Sequence, residues 1–172
     1  IIRFKPFLAF REINSLTEEN LNVDKSFYDV ENGIATSMYG NYPQLYMQFS
    51  KKAKFFFNPV WYKGIEYKED MLEGYSYKED LYVPGYFELS LKKGETIVFS
   101  AGDKEVVTEK LLRSFDLGLK VRTPRSSFQN CLRNSAHQFY FRPNRNELYL
   151  LEGYPWFKVD ARSQFISLPG LT

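Results

Sequence analysis

The chain has one cysteine and one histidine in 172 residues. A lone thiol excludes an internal disulfide and a cysteine-based metal cluster. A lone imidazole, His137, excludes a histidine-rich metal site and leaves one candidate for any histidine-dependent mechanism. A surplus of one charge is missing too. The 23 Lys+Arg face 21 Asp+Glu, and a formal net charge of +2 is too small and too mixed to argue for nucleic acid. No apolar run approaches the length of a membrane span. The opening Ile1-Ile2-Arg3-Phe4-Lys5-Pro6-Phe7 lacks an initiator Met. It also lacks the apolar core and cleavage site of a signal peptide. Phosphate-binding glycine loops, nucleophile elbows and zinc motifs are absent. These absences lead to the expectation of a cytoplasmic chain with no metal or other cofactor, no nucleic-acid partner and no membrane.

Aromatic residues are what the sequence has in excess. Two Trp, 13 Tyr and 16 Phe bring the aromatic share to 18%. Tyr and Phe fit a pleated, half-buried surface, which points first to β-sheet. Flat rings also suit the apolar face of a pyranose, and composition does not separate the two uses.

Residues 1–10 read as extended, with Pro6 marking an edge or bend. Gly33–Tyr39 and Leu45–Ser50 read as strands joined by the turn Gly40-Asn41-Tyr42-Pro43. In the second, Leu45, Met47 and Phe49 alternate with Tyr46, Gln48 and Ser50, a period of two with one wet face. Lys54–Asn58 reads as a short strand, and residues 60–84 are less regular. Tyr86–Leu91 and Glu95–Ser100 form the strongest hairpin pattern, turned by Lys92-Lys93-Gly94. The period then lengthens. Val107, Leu111, Leu112, Phe115 and Leu119 sit at helical spacing, with Gly118 near the end. Thr123-Pro124 opens a second predicted helix, with Phe128, Cys131, Leu132 and Ser135 on one face. Cys131 on that stripe reads as a buried structural thiol. Gln138–Arg142 and Glu147–Leu151 look extended. Strands followed by helices read as a β-sandwich with a helical element, not alternating βαβ. The expected organisation is sandwich over 1–102, helical linker over 103–137, and a hairpin with the start of a further domain over 138–172.

Chemistry is harder to place. Tyr67-Lys68-Glu69-Asp70 recurs as Tyr77-Lys78-Glu79-Asp80, ten residues on. These four acids read as solvated loop residues, although paired carboxylates are the machinery of glycoside hydrolysis. The segment Glu152-Gly153-Tyr154-Pro155-Trp156-Phe157 packs three rings beside Asp160 and Arg162. A packing cluster around Trp156 is one reading. A sugar subsite is the other, with a ring for the pyranose face and a guanidinium fork for hydroxyls.

Gly153-Tyr154-Pro155-Trp156-Phe157, through Arg162 to Phe165-Ile166-Ser167-Leu168-Pro169-Gly170-Leu171, resembles the entry to the catalytic barrel of prokaryote-type glycogen debranching enzymes, the amylo-α-1,6-glucosidases. Phe7-Leu8-Ala9-Phe10-Arg11 is similar to their LLAFR segment. Pro43-Gln44-Leu45-Tyr46 and Trp61-Tyr62 resemble parts of their N-terminal domain. Tyr77-Lys78-Glu79-Asp80-Leu81-Tyr82-Val83-Pro84-Gly85 resembles its ED-L-(Y/F)-x-P-G stretch. The resemblance implies an antiparallel, supersandwich-like β-sandwich, two linker helices and a C-terminal extended segment at the start of an α/α barrel. It implies a non-catalytic N-terminal fragment whose parent hydrolyses α-1,6-linked glucose at branch points of glycogen or limit dextrin. The implied partners are α-glucan and the rest of the chain's own barrel. Trp156, Asp160 and Arg162 would be substrate-binding at the barrel entry, and Trp61 with Tyr62 a glucan platform on the sandwich. Catalytic residues are not expected here, since none matches the family's general acid and base. The family's Gly-Arg-Asp reads Ala161-Arg162-Ser163, with Ser163 where the acid would stand. The alternative is a stand-alone β-sandwich that binds glycan or protein without catalysis.

Overall fold

The computed structural model describes residues 1–12, 15–153 and 158–171, with Leu171 by its backbone alone. It divides into two compact units, Ile1–Leu117 and Gly118–Thr172. No helix among the described residues is long and apolar enough to cross a membrane.

The first unit holds β1 (Ile2–Phe4), β2 (Phe27–Val30), β3 (Gly33–Thr36), β4 (Leu45–Phe49), β5 (Lys54–Glu66), β6 (Lys78–Leu89) and β7 (Phe99–Gly102). A short helix, α1 (Lys68–Leu72), lies between β5 and β6. One sheet runs β1-β6-β5 and the other β2-β3-β4-β7, with every neighbouring pair antiparallel. Both sheets supply the core. Ile34, Met47 and Phe49 come from one, and Tyr82, Phe87 and Leu89 from the other. The rings of Phe49 and Phe87 meet edge to face at 5.0 Å. Each such buried ring stabilises by roughly 2–3 kcal/mol through the apolar area it removes from water. The antiparallel β-sandwich expected from the sequence is therefore what the chain forms.

Two glycines are fixed by close approach. A Cβ at Gly33 would stand 1.9 Å from the Met47 carbonyl oxygen, and one at Gly85 would stand 2.1 Å from that of Phe56. Neither partner can retreat, because both are backbone.

Several expectations need correction. The hairpin of Tyr86–Leu91 with Glu95–Ser100 does not form. The turn is present, with Gly94 at φ +80° and the Glu95 N–H donating to the Lys92 carbonyl at 3.1 Å. It carries the chain from one sheet to the other, so β6 pairs with β1 and β5 while β7 pairs with β4. The true long hairpin is β5–β6, across the stretch that looked irregular. Its register shifts at Phe57/Val60 and Tyr62/Ile65. The extra residue at each shift bulges the strand and hides its period of two. The wet face of β4 is covered at Gln48, whose amide donates to the Glu31 and Val106 carbonyls and accepts from the Val106 N–H.

Six further elements follow β7 among the described residues. A single 3₁₀ turn, Thr108–Lys110, leads into α2 (Leu111–Lys120), which runs through Gly118. Helix α3 (Phe128–His137) starts four residues after Pro124 rather than at Thr123-Pro124, because the Ser127 hydroxyl caps it by accepting from the Asn130 N–H at 3.2 Å. Strands β8 (Tyr140–Phe141) and β9 (Tyr149–Leu150) pair as the extended pattern there suggests. The C-terminal segment is not extended. It forms α4 (Ala161–Leu171), which includes Pro169. Cys131 is exposed, not buried, since α3 buries none of its residues.

Candidate functional site

Residues 2–12 and 15–17 run antiparallel along the β1 side of β6. Ile2 pairs with Leu89. Leu8 bridges Tyr82. The Asp80 N–H donates to the Thr17 carbonyl at 2.8 Å. This course lays Arg11 beside Glu79. The Glu79 side chain has no solvent exposure, and that of Arg11 retains 21%. Arg11 donates to Glu79 through Nε and through Nη2, the latter at 3.2 Å. The Thr17 N–H donates to Glu79 Oε1 at 3.1 Å, and the Tyr67 hydroxyl donates to Oε2. Burial pushes the Glu79 carboxyl up. The hydrogen bonds from Arg11, Tyr67 and Thr17 outweigh it and hold the group below its usual range. The bond to Glu79 in turn raises the Tyr67 phenol.

Asp80 comes next on the strand, so it points to the opposite side. Its Oδ1 accepts from the Gly64 N–H at 2.8 Å and its Oδ2 from the Glu19 N–H at 2.9 Å. These two backbone bonds lower its carboxyl. Lys63-Gly64 is the extra pair at the second register shift, facing Asp80, and Gly64 has φ +65°. Lys63 pairs with Glu19, and Lys78 pairs with Glu66 at 3.0 Å. An open cleft of about 420 Å³ lies here, lined by Thr17, Glu19, Lys63, Lys78 and Asp80 among others.

Reading these acids as solvated loops was wrong for Glu79, which is 1% exposed. The echoed segments are partners: the Tyr67 N–H donates to the Tyr77 carbonyl at 2.8 Å, and Tyr67 reaches Glu79. The available signal was an Arg and a Glu of opposite charge in the two segments that carry the resemblance.

The sequence-predicted site residues fall elsewhere. Trp61 and Tyr62 are consecutive on β5, in register with Tyr82 and Leu81. They therefore point to opposite faces. Trp61 packs on the core, 5.4 Å from the Tyr82 ring. Tyr62 lies 4.8 Å from Phe7 and accepts from Lys5 Nζ at 2.8 Å. Trp156 lies outside the described residues. Asp160 caps α4, its Oδ2 accepting from the Ser163 N–H at 2.7 Å, which lowers its carboxyl. Arg162 is exposed in the first turn of that helix. Within the second unit, an apolar groove of about 490 Å³ runs between the β8–β9 hairpin and α4.

The Arg11–Glu79 pair joins two stretches distant in sequence, and both lie inside the match to a family model. That model, described as glycogen debranching enzyme N terminal, matches residues 1–98. The chain belongs to this family. No curated protein and no solved structure matches it. Trp156, Asp160 and Arg162 fall beyond the matched residues.

Proposed function

We propose that this chain is a non-catalytic N-terminal portion of a cytoplasmic glycogen debranching enzyme. Its own task is to hold branched α-glucan while the rest of the enzyme hydrolyses α-1,6-linked glucose at branch stubs. The observation that carries this is the family match over residues 1–98. The sandwich supplies the glucan contacts of this portion, with Tyr62 the ring of the Trp61–Tyr62 pair that is turned away from the core. Arg162 and Trp156 serve glucan at the entry to the catalytic part, and Asp160 holds Arg162 in place by capping the helix that carries it.

The test is native electrophoresis with and without soluble glycogen cast in the gel, alongside a glucose assay on limit dextrin. Glycogen should retard the protein, and the chain alone should release no glucose. Equal mobility in both gels overturns the glucan-holding role. Glucose release overturns the non-catalytic assignment.

A further inference from the structure

We propose that two copies of this chain pair through the β5–β6 hairpin, laid face to face and antiparallel about a two-fold axis. The two ends of the hairpin are complementary in charge. At its tip, α1 and the residues after it carry Glu69, Asp70 and Glu73 against Lys68. These three carboxylates form no ion pair among the described residues. Beside them Met71, Leu72 and Tyr75 are 43%, 66% and 67% exposed. An apolar cluster this open, rimmed by charge, marks an interaction surface.

At its base the outer side of the sheet is cationic and aromatic. Arg3, Glu88 and Lys54 stand in one row across β1, β6 and β5. The adjacent row, Phe4, Phe87 and Phe55, turns to the core, so Arg3, Glu88 and Lys54 point away from it. Glu88 pairs with Arg3 at 2.8 Å. Lys54 Nζ lies 4.6 Å from the centre of the Phe56 ring, which stacks on Tyr86 at 5.1 Å. Lys5, two residues after Arg3, lies over the Tyr62 ring. Three cations and one carboxylate therefore share this side. The tip cannot fold back onto its own base. β5 runs 13 residues from Lys54 to Glu66, roughly 40 Å at the usual strand rise, and β6 braces it along that length. A second copy supplies the tip that reaches the base. With the hairpins antiparallel, each tip meets the other copy's base, so the contact is made twice. The doubling matters because one tip is small against the roughly 1,000 Å² that a specific pair buries.

Sedimentation and light scattering over a range of protein and salt concentrations read the pairing, and melting curves check the fold. Wild type should pass from monomer to dimer as its concentration rises. Added salt should weaken the dimer, because the contacts are between exposed charges. Lys54→Glu and Glu73→Lys each set like charges against one another at both contacts, and each should weaken dimerisation on the order of tenfold. Mixing the two variants restores opposite charges at both contacts, and so does combining them in one chain. Either should return the dimer to wild-type strength. A wild type that stays monomeric at every concentration overturns the proposal. So does a dimer that both variants leave unchanged, or one that mixing them fails to restore.

Discussion

The two compact units are built in different ways. Among the described residues, every buried hydrophobic side chain except Leu150 belongs to Ile1–Leu117. In the second unit Phe128 and Phe165 are each 77% exposed. The sandwich is held by non-local burial, with strands far apart in sequence sharing one core. The second unit is held by local signals: the Ser127 cap on α3, the Asp160 cap on α4 and a hairpin of two-residue strands. A core tolerates few changes because each side chain has many neighbours, whereas a cap acts on one helix end. Substitutions should therefore divide by unit in size.

The largest effect is expected at Glu79. Glu79→Ala leaves the Arg11 guanidinium in a mostly buried site without its carboxylate, and a loss of about 3 kcal/mol in urea unfolding is the expected result. Arg11 keeps some exposure, so water takes up part of the uncompensated charge. The same group sets a pH dependence. Its folded pKa is lowered, so its stabilisation is present above the unfolded carboxyl value and is lost as pH falls through the folded one. Glu79→Gln should flatten stability over that acidic window relative to wild type. An unchanged acid limb in the variant would show that other carboxylates control it.

A smaller effect is expected in the second unit. Ser127→Ala removes the hydroxyl that accepts from the Asn130 N–H, and about 1 kcal/mol of local helix stability should go with it. Amide exchange over 128–137 is the direct measurement. If Ser127→Ala lowered the stability of the sandwich as much as Glu79→Ala does, the division between core-held and cap-held units would be wrong.

The same division explains what the sequence made legible. The sandwich class follows from strands preceding helices, and the β3–β4 pair follows from its clean alternation around a turn. The β5–β6 hairpin was hidden because Pro59 and Lys63-Gly64 break its period at the two bulges. The false hairpin at Tyr86–Ser100 had the correct turn and the wrong partners, since local pattern does not say which sheet a strand joins. Helix boundaries at Ser127 and Asp160 depended on a single side-chain oxygen finding a backbone N–H. The Arg11–Glu79 pair spans 68 residues, so no local window contains both charges. The cleft is legible only after the bulge opposite Asp80 is known.

The smallest effect is expected where burial looks most severe. Tyr82 is 1% exposed in the middle of the sandwich core, and its hydroxyl has no partner among the described residues. Burial raises its phenol above the ordinary value. The ring itself packs against Trp61 and the surrounding apolar side chains, and Phe would keep that contact. Tyr82→Phe deletes only the group that loses its water on folding and gains no bond in return. The expected change lies between zero and about 1 kcal/mol of added stability, read from urea midpoints at constant slope. A loss of more than about 1 kcal/mol would mean that the hydroxyl is bonded in solution. The core would then carry a polar anchor, like the outer site around Glu79, instead of relying on apolar packing alone.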